Sequence, residues 1–360
     1  MLYPAIVRRA LSTVRSMAAP DDSSPSFAAI VYNPIKVDEE RLRAAVAASE
    51  QSAGWGETRW YATSEEDPGV GQAKQAVRDG ARVVMAAGGD GTIRAVSEGL
   101  QSSDVPIALL PSGTGNLLAR NLKLSLDRLE ESVETAFTGV DRAIDLGTVD
   151  LERPDGSRDQ HAFVVMAGLG IDAAMIANTS PALKKKVGWL AYVQGIARAM
   201  RGPNTVRLRF RLDGGQARSV RVNSVLIGNC GLLTGNILLL PEAVVDDGIF
   251  DIVALRPEGL FGWIQIAWKV LWENGVMRRS ELGRKILSNT KEVRTLRYLK
   301  GKEIVFRTED PQEFQLDGDT MGEVVAVRAR VRPGGLAVRI PATEQDRLPH
   351  DEEQREAAAA

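Results

Sequence analysis

The stretch from Ala81 to Arg94, Ala-Arg-Val-Val-Met-Ala-Ala-Gly-Gly-Asp-Gly-Thr-Ile-Arg, constrains the fold more than any other part of the chain. Val83 to Ala87 is a short apolar run that starts with β-branched residues and stops at glycine. It reads as a strand buried on both faces of a parallel sheet. Gly88-Gly89-Asp90-Gly91 forces a tight turn, and the apolar spacing from Thr92 to Leu100 predicts a helix. A strand, a glycine turn and a helix N-terminus leave free backbone N–H groups converging on one point, a seat for phosphate. Asp90 would repel phosphate there unless a divalent cation or a sugar hydroxyl stood between them. The loop therefore reads as seating a nucleotide phosphate chain with Mg²⁺ nearby. An ordinary structural turn is the plainer reading of a glycine pair, and the loop matches neither Gly-x-x-x-x-Gly-Lys-Ser/Thr nor Gly-x-Gly-x-x-Gly.

The next segment decides between these readings. Val105 to Arg120 repeats the same grammar: a strand, Pro111 as a stop, Gly113-Thr114-Gly115-Asn116 as a turn, then a helix. Two glycine turns after consecutive parallel strands lie at the same carboxyl edge, where open α/β sheets bind ligands. In this order and spacing, Gly-Gly-Asp-Gly-Thr and Pro-x-Gly-Thr-Gly-Asn resemble the diacylglycerol kinase catalytic domain. That family includes bacterial lipid kinases and sphingosine and ceramide kinases, and is distantly related to NAD kinases. The first block alone also admits an NAD kinase; the second favours the lipid side. The resemblance spans about residues 27–341.

Length and an apolar share of 44% suit about two domains with sizeable cores. Strand and helix alternate from Ser26 onward: Ser26–Tyr32, a helix over Asp38–Ser52, Thr58–Thr63, and a helix over Gly69–Asp79. That alternation predicts a parallel sheet covered on both faces. Short alternating strands recur after Ala143, at Thr205–Leu212, Ser219–Gly228, Ile249–Leu255, Lys302–Arg307 and Val324–Val331, and indicate a largely antiparallel second domain. The expected fold is α/β in two domains, a Rossmann-like three-layer α/β nucleotide domain followed by a β-rich, sandwich-like domain. The expected limits are 26–142 for the first, with 335–341 returning to it, and 143–334 for the second. Residues 1–25 read as a flexible N-terminal extension, since Arg8 and Arg9 interrupt any signal-peptide core, and 342–360 as a flexible tail. A net charge of −2 gives no support to nucleic-acid binding. The lone Cys230 rules out an internal disulfide and fits a reducing compartment, and two histidines argue against a histidine metal site.

The resemblance implies roles for particular residues. Gly88, Gly89, Asp90, Gly91, Thr92, Ile93 and Arg94, with Gly113, Thr114, Gly115 and Asn116, would position ATP, and Asp90 would act through Mg²⁺. Asn33-Pro34 matches the family, but no glycine follows in Ile35–Asp38, which weakens that nucleotide contact. Thr63 falls where the family has a nucleotide-contacting threonine; alone it would read as a helix cap. Gly168-Leu-Gly-Ile-Asp-Ala173 resembles the family's interdomain glycine turn more than a dinucleotide fingerprint. Asp247, with the carbonyls of Val244 and Ile249, matches a structural Mg²⁺ site, and oxygen ligands suit that ion. Asp317-Gly318-Asp319 holds two carboxylates that point the same way if the chain is extended, and either is a candidate proton acceptor. The family pattern is Asp-Gly-Glu, so Asp319 is one methylene short. Arg94 stands where the family commonly has Asn, and could contact phosphate or face solvent.

Pro181–Tyr192 joins three lysines to an apolar stretch, and Gly259–Trp272 concentrates three tryptophans, Trp263 and Trp268 among them. Neither is long enough to span a bilayer, and core packing is the plainer account. Both also suit contact with a membrane surface. The expectation is a cytoplasmic ATP-dependent lipid kinase, peripheral to the inner face of the membrane, with Mg²⁺ as cofactor and a lipid alcohol as substrate. Diacylglycerol is the default acceptor, and a homodimer is an expected assembly. The rivals are a sphingosine- or ceramide-type kinase, an NAD kinase, and a nucleotide-binding regulator without turnover.

Overall fold

The computed structural model describes residues 26–112, 116–170, 205–232, 239–240, 242–256 and 296–342. In its first half, β1 (Ala28–Tyr32), β2 (Arg59–Ala62), β3 (Val83–Gly88) and β4 (Ile107–Pro111) alternate with α1 (Glu39–Ala53), α2 (Val70–Arg78) and α3 (Asp90–Leu100). Every residue of β1 and β3 is buried, as strands covered on both faces require. These strands pair in parallel in the order β4-β3-β1-β2. Asp38 caps α1 by accepting from the Arg41 N–H, and Gly54 ends it at φ 69, a left-handed stop that glycine adopts without strain. Helix α1 and α5 (Leu129–Thr138) cover one face through Leu42, Val46, Val133 and Phe137. Helices α2 and α3 cover the other through Ala73, Ala76, Ile93 and Val96. The layers are helix, sheet, helix.

The second half is β-rich: β5 (Val140–Glu152), β6 (Arg158–Phe163), β7 (Met166–Leu169), β8 (Val206–Leu212), β9 (Arg218–Val222), β10 (Ser224–Gly228), β11 (Phe250–Leu255), β12 (Leu296–Gly301), β13 (Glu303–Leu316) and β14 (Asp319–Ile340). Their mutual pairings are antiparallel, and Val149, Phe163, Leu208, Phe250, Phe306 and Phe314 form the core. The run over 219–228 is two strands rather than one. Asn223 interrupts it, its N–H donating to Leu255 O, so that β9 pairs with β8 while β10 pairs with β7 and β11.

The 22-residue β14 joins the two halves. It runs antiparallel to β13 and β5, and its end lies parallel to β4, with Val338 opposite Ile107. Among the described residues all the strands therefore belong to one continuous hydrogen-bonded sheet. This continuity carries the first residue of β14, Asp319, to a fixed place relative to the glycine loop after β3. The chain is thus α/β, with a β-rich second half. No described helix is long and apolar enough to cross a membrane. The terminal segments 1–25 and 343–360 and the two apolar stretches at 181–192 and 259–272 lie outside the described residues.

Candidate active site

Strand β3 ends at Gly88 and helix α3 begins at Asp90, so only Gly89 separates them, a tighter turn than the sequence suggests. Gly89 supplies no side-chain cap, which leaves the first-turn N–H groups of α3 open to an anion. A Cβ on Gly88 would come within 2.6 Å of Thr92 Oγ1, so the turn closes only on glycine. Thr92 and Ile93 are buried beneath it. Asp90 Oδ1 accepts from the Leu117 N–H at 2.7 Å, tying this loop to the start of α4 (Leu117–Asn121). Burial pushes the Asp90 carboxyl above its ordinary value; the Leu117 N–H pulls it back and the nearby Asp319 charge adds to the rise. Asn116, buried at φ 26, caps α4 by accepting from the Ala119 N–H at 3.1 Å. Gly113, Thr114 and Gly115 lie outside the described residues.

The carboxyl ends of β1 and β2 border the same loop. The Thr63 N–H donates to Tyr32 O at 2.9 Å; Thr63 is buried and caps no helix, since α2 starts after Gly69. The Asn33 N–H donates to Ala87 O at 3.0 Å, and Asn33 Oδ1 accepts from the Ile35 N–H, folding the Ile35–Lys36 turn over the loop. Lys36 Nζ stands 3.6 Å from where a Cβ on Gly89 would be. Sequence reasoning passed over Lys36 because it looked there for a glycine. The available signal was a cation two residues after Asn33-Pro34.

The two acidic candidates separate. Leu316 pairs with Asp319, so Asp317-Gly318 is a two-residue hairpin loop, with φ 50 and φ 95 at its two positions. Both values positive is the type I′ pattern, for which Asp-Gly is a favoured pair. The chain is therefore not extended there, and the two carboxylates do not point the same way. Asp317 turns inward and is 4% exposed. Its Oδ2 accepts from the Val164 N–H at 2.8 Å, and its Oδ1 from the Val165 and Met166 N–H groups at 2.9 and 2.8 Å. Burial pushes its carboxyl up to about 6, against the pull of those donors. Asp319 turns outward onto the glycine loop, where a Cβ on Gly91 would meet its Oδ2 at 2.9 Å. Of the pair, only Asp319 has open access to a substrate.

Arg94 neither faces solvent nor stands alone. It is 7% exposed, and its Nε and Nη2 reach Asp319 Oδ2 at 3.2 and 3.1 Å. Its Nη1 lies 3.4 Å from Glu98 Oε2, which also accepts from the Ala162 N–H at 2.9 Å. Glu98 Oε1 lies 3.5 Å from His161 Nδ1, and His161 Nε2 lies 2.6 Å from Asp159 Oδ2. Glu98 and then Asp159 raise the His161 imidazole above its ordinary 6.5, against its burial. The folded state thus holds this proton more tightly than the unfolded chain does. Its stabilisation is complete below pH 6.5 and is lost as pH rises through the raised value. Thermal melts should therefore fall as pH increases above neutral, and this slope should be absent from His161→Gln. An unchanged slope in the variant would assign it to another group.

The proposed metal-binding turn stands apart from the loop. Asp247 and Val244 are exposed, and Asp247 Oδ1 accepts from the Ile249 N–H at 3.2 Å. Asp145, buried in β5, anchors the turn by accepting from the Gly248 and Gly334 N–H groups at 2.6 and 2.9 Å. Among the described residues no three Asp, Glu, His or Cys side chains are grouped for a metal. One carboxylate, two carbonyls and water would be an oxygen-only set, which fits Mg²⁺. Gly168 does not seat a dinucleotide. It lies in β7, where a Cβ would fall 2.3 Å from Val225 O.

Comparisons with known proteins cover both halves of the chain. Residues 28–149 match the diacylglycerol kinase catalytic domain, and residues 163–271 match the YegS C-terminal NAD kinase beta sandwich-like domain. A protein of Stenotrophomonas maltophilia named "Probable lipid kinase YegS-like" is 30% identical over 276 residues, covering 74% of this chain and 82% of its own. The chain belongs to the diacylglycerol kinase catalytic-domain family. Within this family, a Bacillus subtilis protein named diacylglycerol kinase is 28% identical over 68% of this chain and 78% of its own. The crystal structure of a Bacillus anthracis diacylglycerol kinase superposes with a TM-score of 0.60 at 16% identity, covering 88% of this chain and 98% of that one. That likeness speaks to the fold alone.

Proposed function

We propose that this protein is an ATP-dependent lipid kinase that moves the γ-phosphoryl group of ATP to a lipid hydroxyl at a membrane surface, with diacylglycerol as the first acceptor to test. The observation that carries this reading is the placement of Asp319 on Gly91, a carboxylate at the edge of an open helix N-terminus. The α3 N–H groups and Lys36 suit the phosphate chain, and Asp319 suits the hydroxyl that attacks it. Mg²⁺ bound with ATP as part of the substrate would supply neutralisation of phosphate charge, and Asp90 is the carboxylate that would hold it. A second Mg²⁺ would rest on Asp247 and the carbonyls of Val244 and Ile249, where it would brace the turn. Phosphoryl transfer asks a protein mainly for alignment and charge neutralisation, and these groups supply both.

The test is transfer of label from γ-labelled ATP to diacylglycerol, sphingosine, ceramide and NAD⁺. Label in one lipid supports the reading. Label in NAD⁺ alone moves the protein to the NAD kinase side, and bound ATP with no labelled product makes it a regulator.

Lys36→Ala should raise the KM for ATP about tenfold, on the order of one charge-assisted contact, with kcat nearly unchanged. Steady-state kinetics at saturating lipid would measure it. An unaltered KM would remove Lys36 from the nucleotide site.

A further inference from the structure

We propose that Arg94 is a positioning residue that holds Asp319 in register with the glycine loop, an inference that rests on the kinase reading above. The two halves of the site come from different parts of the fold. The loop and α3 belong to the parallel sheet, whereas Asp319 opens β14. Arg94 is the charged link between them. Two of its nitrogens converge on Oδ2, at 3.2 and 3.1 Å, and hold the carboxylate with both oxygens beside Gly91, 2.9 and 3.1 Å from where a Cβ there would be.

What lies behind Arg94 fixes where its guanidinium stands. Glu98, 9% exposed, receives Nη1 and is itself held by the Ala162 N–H and by His161. Asp159 holds His161 from the far side, and Arg153 holds Asp159 at 2.5 Å. With His161 protonated, charges alternate in sign along the series, so each group is braced by the next. An exposed ion pair contributes little, because water screens it and the side chains stay mobile. Arg94 is buried, and its planar fork is immobilised before the carboxylate meets it. The result is a carboxylate placed by a rigid cation rather than by its own backbone alone.

The experiment compares kcat and KM in wild type, Arg94→Asn, Asp319→Glu, the double variant and Arg94→Lys, with thermal melts on each. Arg94→Asn should lower kcat about a hundredfold, the scale of a small misplacement, while the KM for ATP stays within a few-fold. Arg94→Lys should recover only part, because an ammonium cannot present two coplanar donors. The double variant should regain most of the kcat lost in Arg94→Asn, since the longer carboxylate reaches without the clamp. Should Arg94→Asn fail to fold, Arg94→Lys carries the comparison, and a wild-type kcat there overturns the inference. So does a double variant whose loss is the product of the single losses, which is what a purely structural Arg94 would give. A wild type that labels no lipid overturns the kinase reading, and this inference with it.

Discussion

Asp319→Asn should lower kcat for phosphoryl transfer by roughly 10²–10⁴-fold, the range spanned by loss of a general base. The KM for ATP should move little, because Asp319 sits beside Gly91 at the start of α3 but offers the phosphate chain no donor. The protein should also stay folded. The Asp319 side chain is 44% exposed, and its one ion partner among the described residues, Arg94, keeps Glu98 when the charge on residue 319 is removed. Asparagine has nearly the same shape, so the contact with Gly91 is preserved and only the proton acceptor is lost. Label transfer at saturating ATP and lipid measures the effect, and a melting curve beside it separates chemistry from unfolding. Activity within threefold of wild type would place the base elsewhere and remove Asp319 from the mechanism.

The helix–sheet–helix layering was legible because each buried strand announces itself as an apolar run bounded by glycine or proline, as Val83–Gly88 and Ile107–Pro111 do. The glycine loop was legible for the same local reason: its chemistry lies within a few consecutive residues. What could not be read was orientation. Whether Asp317 and Asp319 point together depends on φ at two residues, and the hairpin reverses the answer that an extended chain would give. Arg94 was visible as a departure from a pattern. Its partner, 225 residues away, was not, because β14 has to pair with β13 and β4 before the two can meet. Lys36 was hidden differently, since a residue that reaches into a site from a neighbouring turn leaves no spacing to detect. Nothing in the local pattern around Asp145 shows that the fold uses it as the buried acceptor under the Asp247 turn.

Asp317→Asn should instead act on stability, lowering it by roughly 3–5 kcal/mol, the cost of uncompensated buried polar groups. The carboxylate of Asp317 is a hub with no donor of its own. Three N–H groups, from Val164, Val165 and Met166, converge on its two oxygens, and its own N–H goes to Met166 O at 2.8 Å. These contacts hold the bend between β6 and β7 against the hairpin that presents Asp319. An amide in the same place turns an NH₂ toward at least one N–H, so a donor faces a donor in a buried site. The hydroxyl of Asp317→Ser would be too short to reach all three. Thermal and urea unfolding measure the loss, and a drop in melting temperature of about ten degrees is the expected scale for a chain of this size. Transfer assayed well below that temperature should fall far less than in Asp319→Asn, because the folded fraction still carries its base. The reverse pattern, a normal melting curve with transfer abolished, would make Asp317 the proton acceptor despite its burial. The two variants together therefore separate the residue that does the chemistry from the one that holds it in place, and they do so one glycine apart.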